Sequence, residues 1–268
     1  MFKTITVVSA ANDYARLAES WGLKLAGMFR SRLRALVAWD PDEVARARMH
    51  GEATAPERLS EQTTRDVVEQ ARAQGLRAEG LFRGEGSLKG ILTEAVEADL
   101  LVLGKPKPQQ AENDSIARAI LDSELPILRR AECSVLVVSQ EAGQLRNVLV
   151  SYLGGEEGKS ALRAAGFIAQ AASARLTAVS CKGDMAEAEI LVSRAARYLE
   201  GFDLPHVNPL AFSVPSNSPD QILHTAAETK ADMIVLGQEP HGIIHSFFAG
   251  DSAEAVSLST LLPVLIAR

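Results

Sequence analysis

The side chains that would do chemistry in this sequence are few and scattered. His241 and His245, in "HGIIH", stand four apart, a spacing that puts two imidazoles on one helix face as metal ligands. Glu239 is the nearby candidate for a third ligand, and Gly242 opposes a helix, so the pair reads better as polar residues of a loop. "GEGSLKG" (84–90) has the glycine content of a phosphate cradle. It lies between a strand and a helix, however, and Ser87 is expected to cap that helix. Lys105 and Lys107 would make an anion site if they converged. Each precedes a proline that holds the loop extended, and both are expected to be solvated. Ser160 and Ser193 have no evident base, and no Gly-x-Ser-x-Gly turn occurs. His224 falls on the polar side of its helix, and His206 lies in a turn.

The elements that must position these residues are announced by a repeat. "ADLLVLGKP" (98–106) returns as "ADMIVLGQEP" (231–240). Each copy has an acidic residue (Asp99, Asp232), four apolar residues and a glycine (Gly104, Gly237). A four-residue apolar run closed by glycine suits a strand buried on both faces, and such strands are parallel. Other segments pair up in the same order: "FKTITVV" (2–8) with "LRNVLVS" (145–151), "SRLRALVAWD" (31–40) with "ARLTAVSCKG" (174–183), and "DSELPILRRAECSVLVV" (122–138) with "DSAEAVSLSTLLPVLIA" (251–267). The drifting offset reflects longer loops in the first half, as in a duplicated domain. The expected boundaries are 1–142 and 143–268.

Between the strands lie helical patterns. "YARLAESWGLKLAGMF" (14–29) spaces Leu17, Trp21, Leu25 and Met28 at three- and four-residue steps. "SEQTTRDVVEQARAQG" (60–75) reads as a helix capped by Ser60 and closed by glycine, and "SPDQILHTAAETKA" (218–231) as one capped by Ser218 with Pro219 first. The spacing predicts strands at 3–9, 32–39, 77–83, 99–104 and 133–138, then 146–152, 174–181, 207–214, 231–237 and 263–267. The fold class that follows is α/β: two tandem doubly wound domains, each a five-stranded parallel sheet with helices on both faces. Ligands in such sheets sit beyond the carboxyl ends of the strands, where strand order reverses.

Composition narrows the classes further. The chain has 268 residues, 47% hydrophobic and 23% charged, with a formal charge of −6. No dense Lys/Arg cluster occurs, which argues against nucleic acid or an anionic membrane as the partner. No apolar stretch reaches the ~20 residues of a membrane helix. Cys133 and Cys181 form neither a disulfide framework nor a zinc pattern, so both thiols are expected buried and reduced, in the cytoplasm. "RRAEC" (129–133) places two arginines at a helix end, where cations are favoured.

On these segments the sequence resembles the tandem universal stress proteins. The likeness is carried by "SVPSNSPDQILHTAAETKADMIVLG" (213–237), "GDSAEAVSLSTLLPVLIAR" (250–268), "ILRRAECSVLVV" (127–138) and the overall spacing. In members that bind ATP, the resemblance implies G-x-x-G after the fourth strand, nine residues, then G and Ser or Thr, with an acidic residue at the end of the first strand. Glycines let backbone N–H groups approach the phosphates, and the following helix adds its positive dipole end. In the second half, Gly237 and Gly250 fit. Pro240 replaces a glycine, Asp251 replaces the Ser or Thr, Ser252 supplies a hydroxyl one place late, and Leu153 holds the acidic position. In the first half Gly104 is followed by Lys105, Pro106, Lys107 and Pro108; Leu121 and Asp122 stand where Gly and Ser belong, and Ala10 takes the acidic position. Related transferases use a glycine-rich phosphate loop after the first strand. The segment here, "SYLGGEEGKS", sets Glu156 and Glu157 beside its glycines, which opposes a pyrophosphate.

The reading is a stress-response or regulatory protein with ATP and Mg²⁺ as a weak or vestigial ligand of the second half, through Gly237, Gly250, Asp251, Ser252 and Leu153. The alternatives are a scaffold that binds no nucleotide, its pocket filled by Ile243, Ile244, Phe247 and Phe248, and a nucleotide hydrolase or transferase. The apolar last strands, "CSVLVV" and "PVLIA", invite pairing at their edges. They are expected to pair within the chain as a pseudo-dimer, and a homodimer remains open.

Overall fold

A computed structural model describes residues 1–9, 13–38, 56–83, 87–105, 126–214, 218–238 and 252–268. The chain divides into two compact units, Phe2–Ala142 and Gly143–Arg268. The first runs β1 (Thr4–Val8), α1 (Asp13–Phe29), β2 (Arg32–Ala38), α2 (Pro56–Ala73), β3 (Ala78–Arg83), α3 (Ser87–Ala95), β4 (Leu100–Gly104), a helical segment at 126–130, and β5 (Ser134–Val138). Its strands lie in the order β3-β2-β1-β4-β5, every pair parallel.

The second unit repeats the plan. It runs β6 (Asn147–Ser151), α4 (Gly155–Ala172), β7 (Arg175–Lys182), α5 (Met185–Leu199), β8 (Val207–Ser213), α6 (Pro219–Glu228), β9 (Met233–Gly237), α7 (Ser252–Ser259) and β10 (Val264–Ala267). The order is β10-β9-β6-β7-β8, again all parallel. Strand order reverses between β1 and β4 and between β6 and β9. All ten expected strands are present, each within two residues of its expected ends.

The repeated phrase explains itself in three parts. Its apolar run is the strand β4 or β9, buried along four residues in each case. Its acidic residue ties the neighbouring first strand. Asp99 Oδ2 accepts the backbone N–H groups of Lys3 and Thr4, both at 2.8 Å. Asp232 Oδ2 accepts those of Arg146 and Asn147, at 2.7 and 2.8 Å. One carboxylate thus fixes the entry of β1 against β4, and its counterpart fixes β6 against β9. Its glycine serves the sheet's other end, described below.

Helix ends follow their local chemistry. Ser218 caps α6 by accepting from the Gln221 N–H, with Pro219 at the first position, as the sequence implies. Asp184 caps α5 through the Glu187 N–H at 3.0 Å. α2 departs from expectation: it begins at Pro56, not after Ser60. Proline at a helix start costs no hydrogen bond, and Glu57, Arg58 and Leu59 are good helix formers, so the helix extends one turn further back. The chain leaves α2 through Gly75 at φ +75, where a side chain would be strained.

The core is apolar in both units, with Trp21 wholly enclosed and its indole Nε1 donating to the Gln140 carbonyl at 2.9 Å. Cys133 and Cys181 are buried and joined in no disulfide, and burial pushes the Cys181 thiol up to about 11. No described helix is long and apolar enough to cross a membrane.

Removing the tie at the sheet's foot should weaken each unit separately. Hydrogen bonds to a carboxylate are worth about 1.5–3 kcal/mol each, less where water competes, as it does here. Asp99→Ala and Asp232→Ala are each expected to cost about 1–2 kcal/mol by urea denaturation. An unchanged midpoint in both would contradict the tie.

Candidate functional site

The candidate site lies at the carboxyl end of the second unit's sheet, where β6 and β9 part. From β6 the chain continues through Tyr152, Leu153, Gly154 and Gly155 into α4. Tyr152 is buried; its carbonyl accepts from the Ser180 hydroxyl at 2.8 Å, and its ring lies against Gly158. Leu153 is half-buried and brings no charge to the place where an acidic residue was sought. Gly154 and Gly155 adopt φ +92 and +71, so the tight entry into α4 requires glycine at both positions. Gly154 offers α4 no side-chain cap, and Glu156 and Glu157 fill its first turn. Lys159 is bound to Glu156 at 2.5 Å. This is a loop that neutralises its own helix end with carboxylates, the opposite of a pyrophosphate cradle.

Gly237, the end of β9, closes the other wall. A Cβ here would lie 2.5 Å from the Glu157 carbonyl oxygen and 3.1 Å from the Gly158 nitrogen. The first turn of α4 therefore sits directly on this glycine. Gly104 carries the same load in the first unit, where a Cβ would lie 1.7 Å from the Tyr14 carbonyl oxygen of α1. Both glycines are demanded by the seating of a helix on a strand end, whether or not a ligand is bound.

α7 starts at Ser252, so the amino end of this helix faces the same carboxyl end of the sheet. Gly250 and Asp251, with Pro240, His241 and His245 and the bulky Ile243, Ile244, Phe247 and Phe248, lie outside the described residues. By the β6–β9 register the structure thus sets Leu153 and Gly237 at the same carboxyl edge of the sheet, and it gives Ser252 the head of the adjoining helix. No group of three or more metal-binding side chains occurs among the described residues.

Two residues at this end escaped the sequence reading. Glu254, buried at 5% exposure, lies in the first turn of α7, an acidic residue at that helix's amino end. Its signal was present in "GDSAEAV". Arg268, just past β10, donates through Nε to the Gln238 side chain, next to Gly237. It brings a cation to the same edge.

At the matching end of the first unit the groups are different. Ser9 is buried and its hydroxyl donates to Glu19 of α1. Burial raises the Glu19 carboxyl above its ordinary range, against the Ser9 hydrogen bond and the nearby Arg16, which lower it. Lys105 corrects an expectation. It is not solvated but 2% exposed, because it follows β4 directly and is held by its N–H to the Val138 carbonyl at 2.8 Å. Lys107 lies outside the described residues, as do residues 84–86 before α3, which begins at Ser87. His224 is 65% exposed and pairs with Glu228 at 3.3 Å, a solvated position as expected.

If the glycines are seats for helices, a methyl group at either should destabilise its own unit. Gly104→Ala and Gly237→Ala are expected to cost about 1–3 kcal/mol each by denaturant unfolding, Gly104→Ala the more because its overlap is deeper. Equal stability of wild type and both variants would show that the seat yields freely.

Comparison with known proteins agrees with this architecture. The family described as the universal stress protein family matches residues 1–139. No curated protein matches the chain. Among solved structures, a universal stress protein from Archaeoglobus fulgidus is similar over 99% of this chain and 96% of its own, at 16% identity and a TM-score of 0.75. A putative universal stress protein from Pseudomonas aeruginosa is similar over 99% of this chain and 93% of its own, at 19% identity and a TM-score of 0.67. Identities this low bear on the fold, and they bear on it in both halves. The chain belongs to the universal stress protein family.

Proposed function

We propose that this universal stress protein is a regulatory, non-catalytic stress-response protein whose second unit takes ATP weakly and only with Mg²⁺. The observation that supports the reading is the reversal of strand order between β6 and β9, with the amino end of α7 at the same carboxyl end of the sheet. A helix amino end favours phosphate, and a reversal of strand order opens room for a nucleoside. The electrostatics then limit the affinity. Glu156 and Glu157 lie in the first turn of α4, Glu254 lies in the first turn of α7, and Asp251 precedes it. Triphosphate meets this charge favourably only through a cation. Arg268 offsets one carboxylate. Pro240 has no N–H to offer where the family pattern has glycine. Losing one charge-assisted donor lowers affinity about ten- to a hundredfold. The first unit, with Lys105 buried and Ala10, Leu121 and Asp122 in the pattern's key places, takes no nucleotide.

One observation favours a second reading, a scaffold that binds nothing. Gly237 is already required by the seat of α4, so a unit with no ligand would keep it too. Calorimetry with ATP, with and without Mg²⁺, separates the two. Weak Mg²⁺-dependent binding by the wild type is expected, strengthened about tenfold or more by Pro240→Gly with Asp251→Ser. Tight binding without Mg²⁺ would contradict the electrostatic account. No binding by either protein would establish the scaffold.

A further inference from the structure

The first unit carries an ionic row through its sheet where the second unit has no charged residue. Thr6 of β1, Arg34 of β2 and Glu79 of β3 stand directly across from one another. The same places in β6, β7 and β8 hold Leu149, Thr177 and Asn208. Arg34 is 6% exposed and Glu94, above it on α3, is 2% exposed. The Arg34 guanidinium is engaged along one edge and one end. Nε donates to Glu79 at 3.2 Å, and Nη2 reaches Glu94 at 2.6 Å and Glu97 at 3.2 Å. Arg32 also holds Glu79, at 2.6 Å, and Arg83 also holds Glu94.

Two atoms of the row are buried without a protein partner, Arg34 Nη1 and Thr6 Oγ1. The guanidinium is planar, with Nη1 on the edge away from the Nε–H. Since the Nε–H faces β3, Nη1 faces the β1 side, where Thr6 stands. Thr6 and Arg34 are register partners, so both unpartnered atoms lie on the β1–β2 side of the row, where one bridging group can serve them.

Charge decides what that group is. Arg32, Arg34 and Arg83 are matched one for one by Glu79, Glu94 and Glu97. An anion would meet carboxylates already bound to the same guanidinium, and a cation would meet Nη1 itself. A neutral group that both accepts and donates fits. We propose that the first unit holds one ordered internal water between Thr6 and Arg34, accepting from the Nη1–H and donating to Thr6 Oγ1. Such a water is an integral part of the buried ionic row and completes the hydrogen bonds of a charged group that the sheet encloses.

A high-resolution crystal structure of the full chain tests this. A water peak within about 2.7–3.2 Å of both atoms is expected. It should persist in Thr6→Ser and vanish in Thr6→Val, which keeps the shape and loses the hydroxyl. A direct Thr6–Arg34 hydrogen bond with no water would overturn the proposal. So would an anomalous peak at this place in a bromide soak, which would make the site an anion site. Should Thr6→Val fail to fold, wild-type NMR gives an independent answer. Cross-peaks from a long-lived water to the Thr6 side chain are expected, and their absence would refute the water.

Discussion

The contact on which each unit depends is the meeting of one strand end with one helix start. β4 must end against the first turn of α1, and β9 against the first turn of α4, at backbone-to-backbone distance. Only glycine allows that approach. With the helix so placed, α1 covers β1 and β4, and α4 covers β6 and β9. The strand pair at the reversal of order is held at its foot by Asp99 or Asp232 and at its head by Gly104 or Gly237. The candidate site lies beyond the carboxyl end of this pair.

The same constraint separates architecture from chemistry. The phrase that the two halves share is structural in both. Their differences lie beyond it, in the residues that follow each glycine and in the first turn of the helix before the last strand. In the second unit those differences leave a helix amino end, an arginine and several carboxylates at the carboxyl end of the sheet. In the first unit they leave an enclosed lysine and a Ser9–Glu19 pair. The chain carries one scaffold twice, and the charge around its mouth distinguishes the two units.

Most of the scaffold was legible in the sequence, because runs such as "LLVLG" and "MIVLG" have one physical solution, a parallel strand covered on both faces. The cap at Ser218 was legible for the same reason, since Ser-Pro before an apolar period has few other uses. The site was less so. Gly237 fits a phosphate pattern, but the pattern does not reveal that a carbonyl of α4 already claims the space. Asp99 and Asp232 were visible as a repeat, yet their bond runs to strands more than 80 positions away. Lys105 looked solvated because lysine before proline in a loop usually is. The Arg34 row was hidden because an arginine inside "RLRALVA" has the alternation of an edge strand, and only register shows that Glu79 and Glu94 meet it.

The claim that one scaffold carries two different mouths is tested most directly by locating the nucleotide. Amide NMR shifts recorded as ATP and Mg²⁺ are titrated into the full chain would report every residue at once. The account predicts changes at Leu153, Gly154, Gly237 and the start of α7, with Ser9, Gly104 and Lys105 unmoved. Changes centred on the first unit, or equal changes at both mouths, would contradict it.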